Sequence, residues 1–109
     1  INKIKDSQIK PIEIKDISKY LKAANLIVNT TPVDVLKNII NNKRKIDVLA
    51  CDIVYSPKET GFLSHFKKNK RIYGISMLVH QAKPCFENLF SIKTRNTKEL
   101  FLLLDKKIK

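Results

Sequence analysis

The sequence predicts an α/β fold built on a parallel sheet, and three observations carry that expectation. Short apolar runs at 25–28, 46–55 and 71–74 have the make-up of buried strands, and amphipathic stripes at helical spacing lie between them. The connections are short, so successive strands must be joined by covering helices rather than hairpins. With 109 residues the chain is at most one domain.

Taken in order, Ile12 and Ile14 alternate around Glu13 in "PIEI", which reads as a short strand. Asp16 then stands as N-cap before Ile17, Tyr20, Leu21 and Ala24, spaced i, i+3, i+4, i+7. "NLIV" (25–28) is a strand closed by Asn29, Thr30, Thr31 and Pro32. Val35, Leu36, Ile39 and Ile40 mark a second helix that "NNK" (41–43) ends. "IDVLACDIVY" (46–55) is the strongest strand, apolar on both faces and therefore expected to be covered on both.

A helix follows "SPKET". A cap at Ser56 would put Gly61 inside the helix at about 1 kcal/mol relative to Ala. Thr60 is the preferred N-cap, because it leaves Phe62, Leu63 and Phe66 on the core face. "RIYG" (71–74) reads as a strand, and a helix is expected from Met77 to about Phe90. Its apolar stripe would be Leu78, Ala82, Cys85, Phe86 and Leu89, with Pro84 kinking or dividing it. The last helix, capped by Asn96 with Glu99 in its first turn, is apolar almost all round from Leu100 to Leu104. Such a helix must be covered on more than one side.

Composition narrows the function classes. The 43% apolar and 29% charged residues suit a soluble globular protein, and no apolar run nears the roughly 20 residues of a membrane span. No signal peptide is visible, so a cytoplasmic protein without membrane contact is expected. A start at Ile1, with Met77 the only methionine, points to a piece of a longer chain. Cys51 and Cys85 lack any metal or redox spacing and read as two reduced, buried thiols. The net charge of +12 invites a nucleic-acid reading. The cations are scattered lysines with only three arginines, and two clusters fall where helices end, so nucleic acid is not the expected partner.

In a parallel α/β sheet, ligands bind beyond the carboxyl ends of the strands. Three such ends carry polar or unusual groups: Asn29-Thr30-Thr31, Asp52 to Tyr55, and Gly74 to Met77. The first is equally ordinary turn chemistry, and Tyr55 equally a rim aromatic. Gly74 allows a close backbone approach, and Met77 and Gln81 follow one turn apart. His80 would point away from that face and reads as a solvated or locally bonded histidine rather than a base. No nucleophile–base set and no metal-ligand spacing is present, and two glycines cannot make a glycine-rich phosphate loop.

The same three stretches, "NLIVNTTP", "DIVYSPKET" and "GISMLVHQA", resemble successive signatures of the shikimate dehydrogenases over about residues 12 to 92. The second and third agree in identity and internal spacing. The first departs from the family, which ends it in Gly-Met where Pro32-Val33-Asp34 follows Thr31 here. The family's late Trp and Gly are replaced by Leu89 and Ser91.

The resemblance implies a partial Rossmann-like parallel sheet with flanking helices, and an NADP-dependent oxidoreductase interconverting 3-dehydroshikimate and shikimate in aromatic amino-acid biosynthesis. It implies that Tyr55 and Gln81 hold shikimate, and that Thr31, Ile53, Gly74 and Met77 border the cofactor NADP. A thioether is a soft wall for a flat ring, and an amide both donates and accepts. The family's catalytic Lys–Asp pair, its pyrophosphate turn and its 2′-phosphate reader have no counterpart here, so no catalytic residue and no metal is expected in this chain. Residues 1–92 would be the C-terminal half of the NADP-binding domain. Residues 93–109 would be a helix packing on a missing N-terminal catalytic domain, and the fragment alone would be inactive. A quinate/shikimate paralogue and a small basic RNA-binding or scaffold module are the alternatives.

Overall fold

Among the described residues, three parallel strands in the order β1-β2-β3 form the centre: β1 (Leu26–Asn29), β2 (Leu49–Asp52) and β3 (Arg71–Ile72). The structure, a computed structural model, describes residues 9–40, 44–94 and 97–108. Leu26 to Asn29 pair in register with Leu49 to Asp52, and Ala50 and Cys51 pair with Arg71 and Ile72. Alternation along the strands puts Ile27, Asn29, Ala50 and Asp52 on one face, and Leu26, Val28, Leu49, Cys51 and Ile72 on the other.

The first face carries the core. Leu36, Ala50, Phe62, Leu63 and Phe66 are fully buried against one another, with Ile17, Ile27, Ile46 and Tyr73 packed around them. Phe62 and Phe66 meet with ring centroids 5.2 Å apart. Each large side chain removed from water stabilises the fold by roughly 1.5–3 kcal/mol. Together with the helices described next, this is a partial Rossmann-like α/β fold.

Among the described residues four α-helices accompany the sheet: α1 (Ile17–Tyr20), α2 (Gly61–Ser64), α3 (Gly74–Phe90) and α4 (Thr97–Lys107). Thr60 is the N-cap of α2, its hydroxyl accepting the Leu63 amide at 3.2 Å, which is the expected choice over Ser56. Asp16 occupies the N-cap position of α1, but its side chain takes the Lys19 ammonium at 2.7 Å instead of a backbone amide.

Several elements differ from expectation. "PIEI" forms no strand: residues 11–13 are irregular and Ile14–Asp16 is a 3₁₀ turn leading into α1. No strand among the described residues lies beside it to pair with, and Ile12 and Ile14 remain exposed. Residues 35–39 form turns rather than a helix. The Asp34 carboxylate takes the Leu36 amide, and the bonds that follow mix three- and four-residue steps. So short a segment gains too few bonds to repay helix nucleation. Leu36 still turns fully inward, so the stripe marked the correct face. The "NNK" that was to end it lies outside the described residues.

The strand expected at 46–55 pairs only over Leu49–Asp52, with Ile46 making one isolated bridge to Phe66. Its neighbours are four and two residues long, so the ladder has no further partner. Helix α3 starts at Gly74 rather than Met77, and Pro84 does not divide it. The expected stripe is also displaced. Ile75 and Val79 are buried, whereas Ala82, Cys85, Phe86 and Leu89 are exposed, because nothing among the described residues covers the second half of α3. Cys85 is therefore exposed rather than buried, and Cys51 is half-buried; both are free thiols.

Helix α4 packs along α3. Leu100, Leu102 and Leu103 stay exposed, and the expected cap Asn96 lies outside the described residues.

Candidate functional site

The carboxyl ends of all three strands come together at one rim, and a buried polar network shapes it. Asn29 ends β1 and is 4% exposed. Its side-chain oxygen Oδ1 accepts the Thr31 amide at 3.1 Å and the Thr31 hydroxyl at 2.8 Å. Its side-chain nitrogen lies 3.1 Å from the Thr31 carbonyl, 3.2 Å from that of Val33 and 3.2 Å from Asp52 Oδ1. The amide thus folds the chain back after β1. The single Thr31 hydroxyl proton is directed inward, so a ligand would meet the oxygen as an acceptor.

Asp52 ends β2 on the same face and is 1% exposed. Its carboxylate accepts the Asn29 amide, the Val54 backbone amide at 3.1 Å and the Thr60 hydroxyl at 2.6 Å. These three donors satisfy a charge that would otherwise be costly to bury. The loop between Val54 and Thr60 is closed at both ends by this one side chain.

Gly74 begins α3 against the same strand end. A Cβ there would lie 2.6 Å from the carbonyl oxygens of Ile53 and Val54, and 2.7 Å from that of Asp52. Only a glycine lets the first turn of α3 seat on β2 this closely.

Above the network an open groove of about 400 Å³ is lined by Thr30, Thr31, Pro32, Ile53, Val54, Tyr55 and Ser56. The structure therefore brings Thr31, Ile53 and Tyr55 together; Gly74 does not line the groove but packs closely on the carbonyls of Ile53 and Val54, two residues that do. Met77 and Gln81 do not line it. They project from the exposed face of α3, one and two turns beyond Gly74. The Tyr55 hydroxyl, on a residue 44% exposed, makes no hydrogen bond among the described residues.

Beside the rim lie groups with no signal in the sequence. The His65 imidazole, buried, sits 2.9 Å from the Asp34 carboxylate, joining the turn after β1 to the end of α2. Glu59 accepts the Tyr73 hydroxyl at 2.7 Å and an Arg71 guanidinium nitrogen at 2.5 Å. Chiefly through the tyrosine hydrogen bond, and further through Arg71, Glu59 is held below the usual carboxylate range. The same hydrogen bond pushes the Tyr73 phenol up. Arg71 also donates to the Phe66 carbonyl, which removes one of three arginines from any external partner.

The Cys51 thiol is pushed up by burial and then by the neighbouring Asp52 charge, the opposite of what a thiolate nucleophile needs. Among the described residues no cluster of His, Cys, Asp or Glu could hold a metal ion, and no helix is long and apolar enough to cross a membrane.

A parallel sheet with an open, mixed apolar and hydroxyl-lined groove at its carboxyl rim, the position at which such sheets bind ligands, defines the class: an α/β unit of Rossmann-like type. Within that class, the family the chain is similar to is shikimate dehydrogenase (NADP(+)). It is 37% identical over 105 residues to the Bartonella quintana shikimate dehydrogenase (NADP(+)), covering 84% of this chain and 36% of that protein. The Bartonella henselae enzyme is 38% identical over the same coverage, and that of Methanococcus maripaludis is 35% identical over 72% of the chain and 37% of the relative. The chain thus spans little more than a third of the length of these relatives. No protein-family model matches it, and no solved structure does.

Proposed function

We propose that this chain is the C-terminal portion of an NADP-dependent shikimate dehydrogenase, acting in the cytoplasm in aromatic amino-acid biosynthesis. Residues 1–92 would supply the second half of the NADP-binding domain, and residues 93–109 a helix that packs on an N-terminal catalytic domain. The observation that carries the reading is the convergence of the three resembling stretches on one rim of the sheet. "NLIVNTTP" and "DIVYSPKET" contribute the residues that wall the groove, and the Gly74 that opens "GISMLVHQA" packs on the carbonyls of Asp52, Ile53 and Val54 at the end of β2.

The residues present suit one end of the cofactor. Ile53 and Pro32 offer apolar walls for a flat ring, and Thr31 an acceptor oxygen. Bound there, the nicotinamide would supply hydride transfer, while the protein contributes position and polarity. Gly74 and Met77 would border the ring, and Tyr55 and Gln81 would hold the hydroxyls or carboxylate of shikimate.

The test is NADP⁺-dependent oxidation of shikimate, with quinate as a parallel substrate, by the full-length gene product. Activity is expected there and absent from residues 1–109 alone. In the full-length protein Tyr55→Phe and Gln81→Ala should raise the shikimate KM or lower turnover on the order of tenfold, as the loss of one to two ligand hydrogen bonds implies. Unchanged kinetics in both variants would remove these two residues from the site. Salt-steep RNA binding without dehydrogenase activity would instead favour a basic nucleic-acid module.

A further inference from the structure

The loop that presents Tyr55 is closed at its base by Asp52 and held in its middle from another element. Lys58, three residues beyond Tyr55, places its ammonium 2.6 Å from Asp105 Oδ1 on α4. The same ammonium lies 5.3 Å from the centre of the Tyr73 ring. The next residue, Glu59, is tied to Tyr73 and Arg71. Residues 58–60 are therefore anchored, whereas Tyr55 and Ser56 stand exposed between the Asp52 closure and the Lys58 anchor.

We propose that Asp105 is a positioning residue for the candidate substrate site: through Lys58, helix α4 holds the 54–60 loop so that Tyr55 is presented at the groove. This rests on the reading of Tyr55 as a substrate-holding group. An ion pair whose two side chains are each about a third exposed contributes little to global stability. Its effect here is local, because it links a loop with few other outward contacts to a helix packed on α3. A side chain held a fraction of an ångström closer to its productive position changes binding and turnover far more than it changes folding.

The experiment compares wild type, Asp105→Asn, Asp105→Glu and the exchange Lys58→Asp with Asp105→Lys, all in the full-length protein. Hydrogen–deuterium exchange over 54–60 reads the clamp, and the shikimate and NADP⁺ KM values read its consequence. Asp105→Asn should speed exchange in the loop and raise the shikimate KM about fivefold, with the NADP⁺ KM and the melting temperature nearly unchanged. Asp105→Glu and the exchanged pair should restore both readouts. Unchanged loop exchange in Asp105→Asn overturns the clamp, and faster exchange with an unchanged shikimate KM overturns its role in positioning. A wild-type protein without dehydrogenase activity sinks the shikimate reading, while loop exchange still decides whether the clamp exists.

Discussion

The Thr60 hydroxyl donates to Asp52 Oδ2 at 2.6 Å while its oxygen accepts the Leu63 amide at 3.2 Å. One hydroxyl thereby ties the end of β2 to the start of α2 and shuts the loop that bears Tyr55. Thr60→Val keeps the volume but removes both bonds, leaving a buried carboxylate oxygen without its donor. A lost cap costs about 1 kcal/mol and an unpaired buried charge adds about 1–3 kcal/mol. The urea midpoint of the full-length protein should fall accordingly, with Thr60→Ser close to wild type. Equal midpoints for Val and Ser would show that the hydroxyl contributes nothing.

Gly74→Ala tests the seat of α3. The added Cβ would meet three backbone carbonyls at 2.6–2.7 Å, and backbone cannot swing aside as a flexible side chain can. The first turn of α3 must lift from β2, at about 1–3 kcal/mol, the usual range for overpacking. Because Met77 and Gln81 ride on the same helix, the KM values for both ligands of the full-length protein should rise together. A variant of wild-type stability and kinetics would mean that the contact relaxes freely.

The Glu59–Tyr73 pair gives the fold a pH window. Glu59 is depressed below its ordinary 4.5, so its contribution is present above that value and is lost as pH falls through the folded one. Tyr73 is raised above its ordinary 10.0, so its contribution is present below that value and is lost as pH climbs through the folded one. The effect is small, since the Glu59 side chain is 49% exposed and solvent screens it. Glu59→Gln should flatten the acid limb of the denaturation midpoint against pH and leave the mid-range slope unchanged. Parallel acid limbs in the two proteins would assign the dependence to other carboxylates.

What the sequence revealed, and what it hid, follows from the range of each interaction. The Thr60 cap and the inward turn of Phe62, Leu63 and Phe66 were legible because they depend on neighbours within one helical turn. The groove residues Thr31, Ile53 and Tyr55 were legible because strand ends in a parallel sheet share one rim. The stripe on α3 was misplaced because periodicity marks an apolar face without saying what covers it: Phe86 and Leu89 satisfy the pattern and lie exposed, while Ile75 and Val79 are buried. The Asp34–His65 and Lys58–Asp105 pairs join elements distant in sequence, and no local pattern announces them.

The uncovered face of the sheet yields the last prediction. Leu26, Val28 and Leu49 are 49%, 48% and 38% exposed on one face, beside the half-buried Cys51 and Ile72. Both faces of a parallel sheet are normally covered, and the chain spans 36% of the length of its Bartonella quintana relative. On the proposed reading, the rest of the same polypeptide covers this face. Residues 1–109 alone should then bind a hydrophobic dye, and Leu26→Ser with Leu49→Ser should reduce that binding and improve solubility. In the full-length protein the same pair should cost about 3–6 kcal/mol, because each leucine would be buried there. A full-length protein that tolerates both substitutions without loss of stability would show that this face stays in water, and would overturn its proposed cover by the rest of the polypeptide.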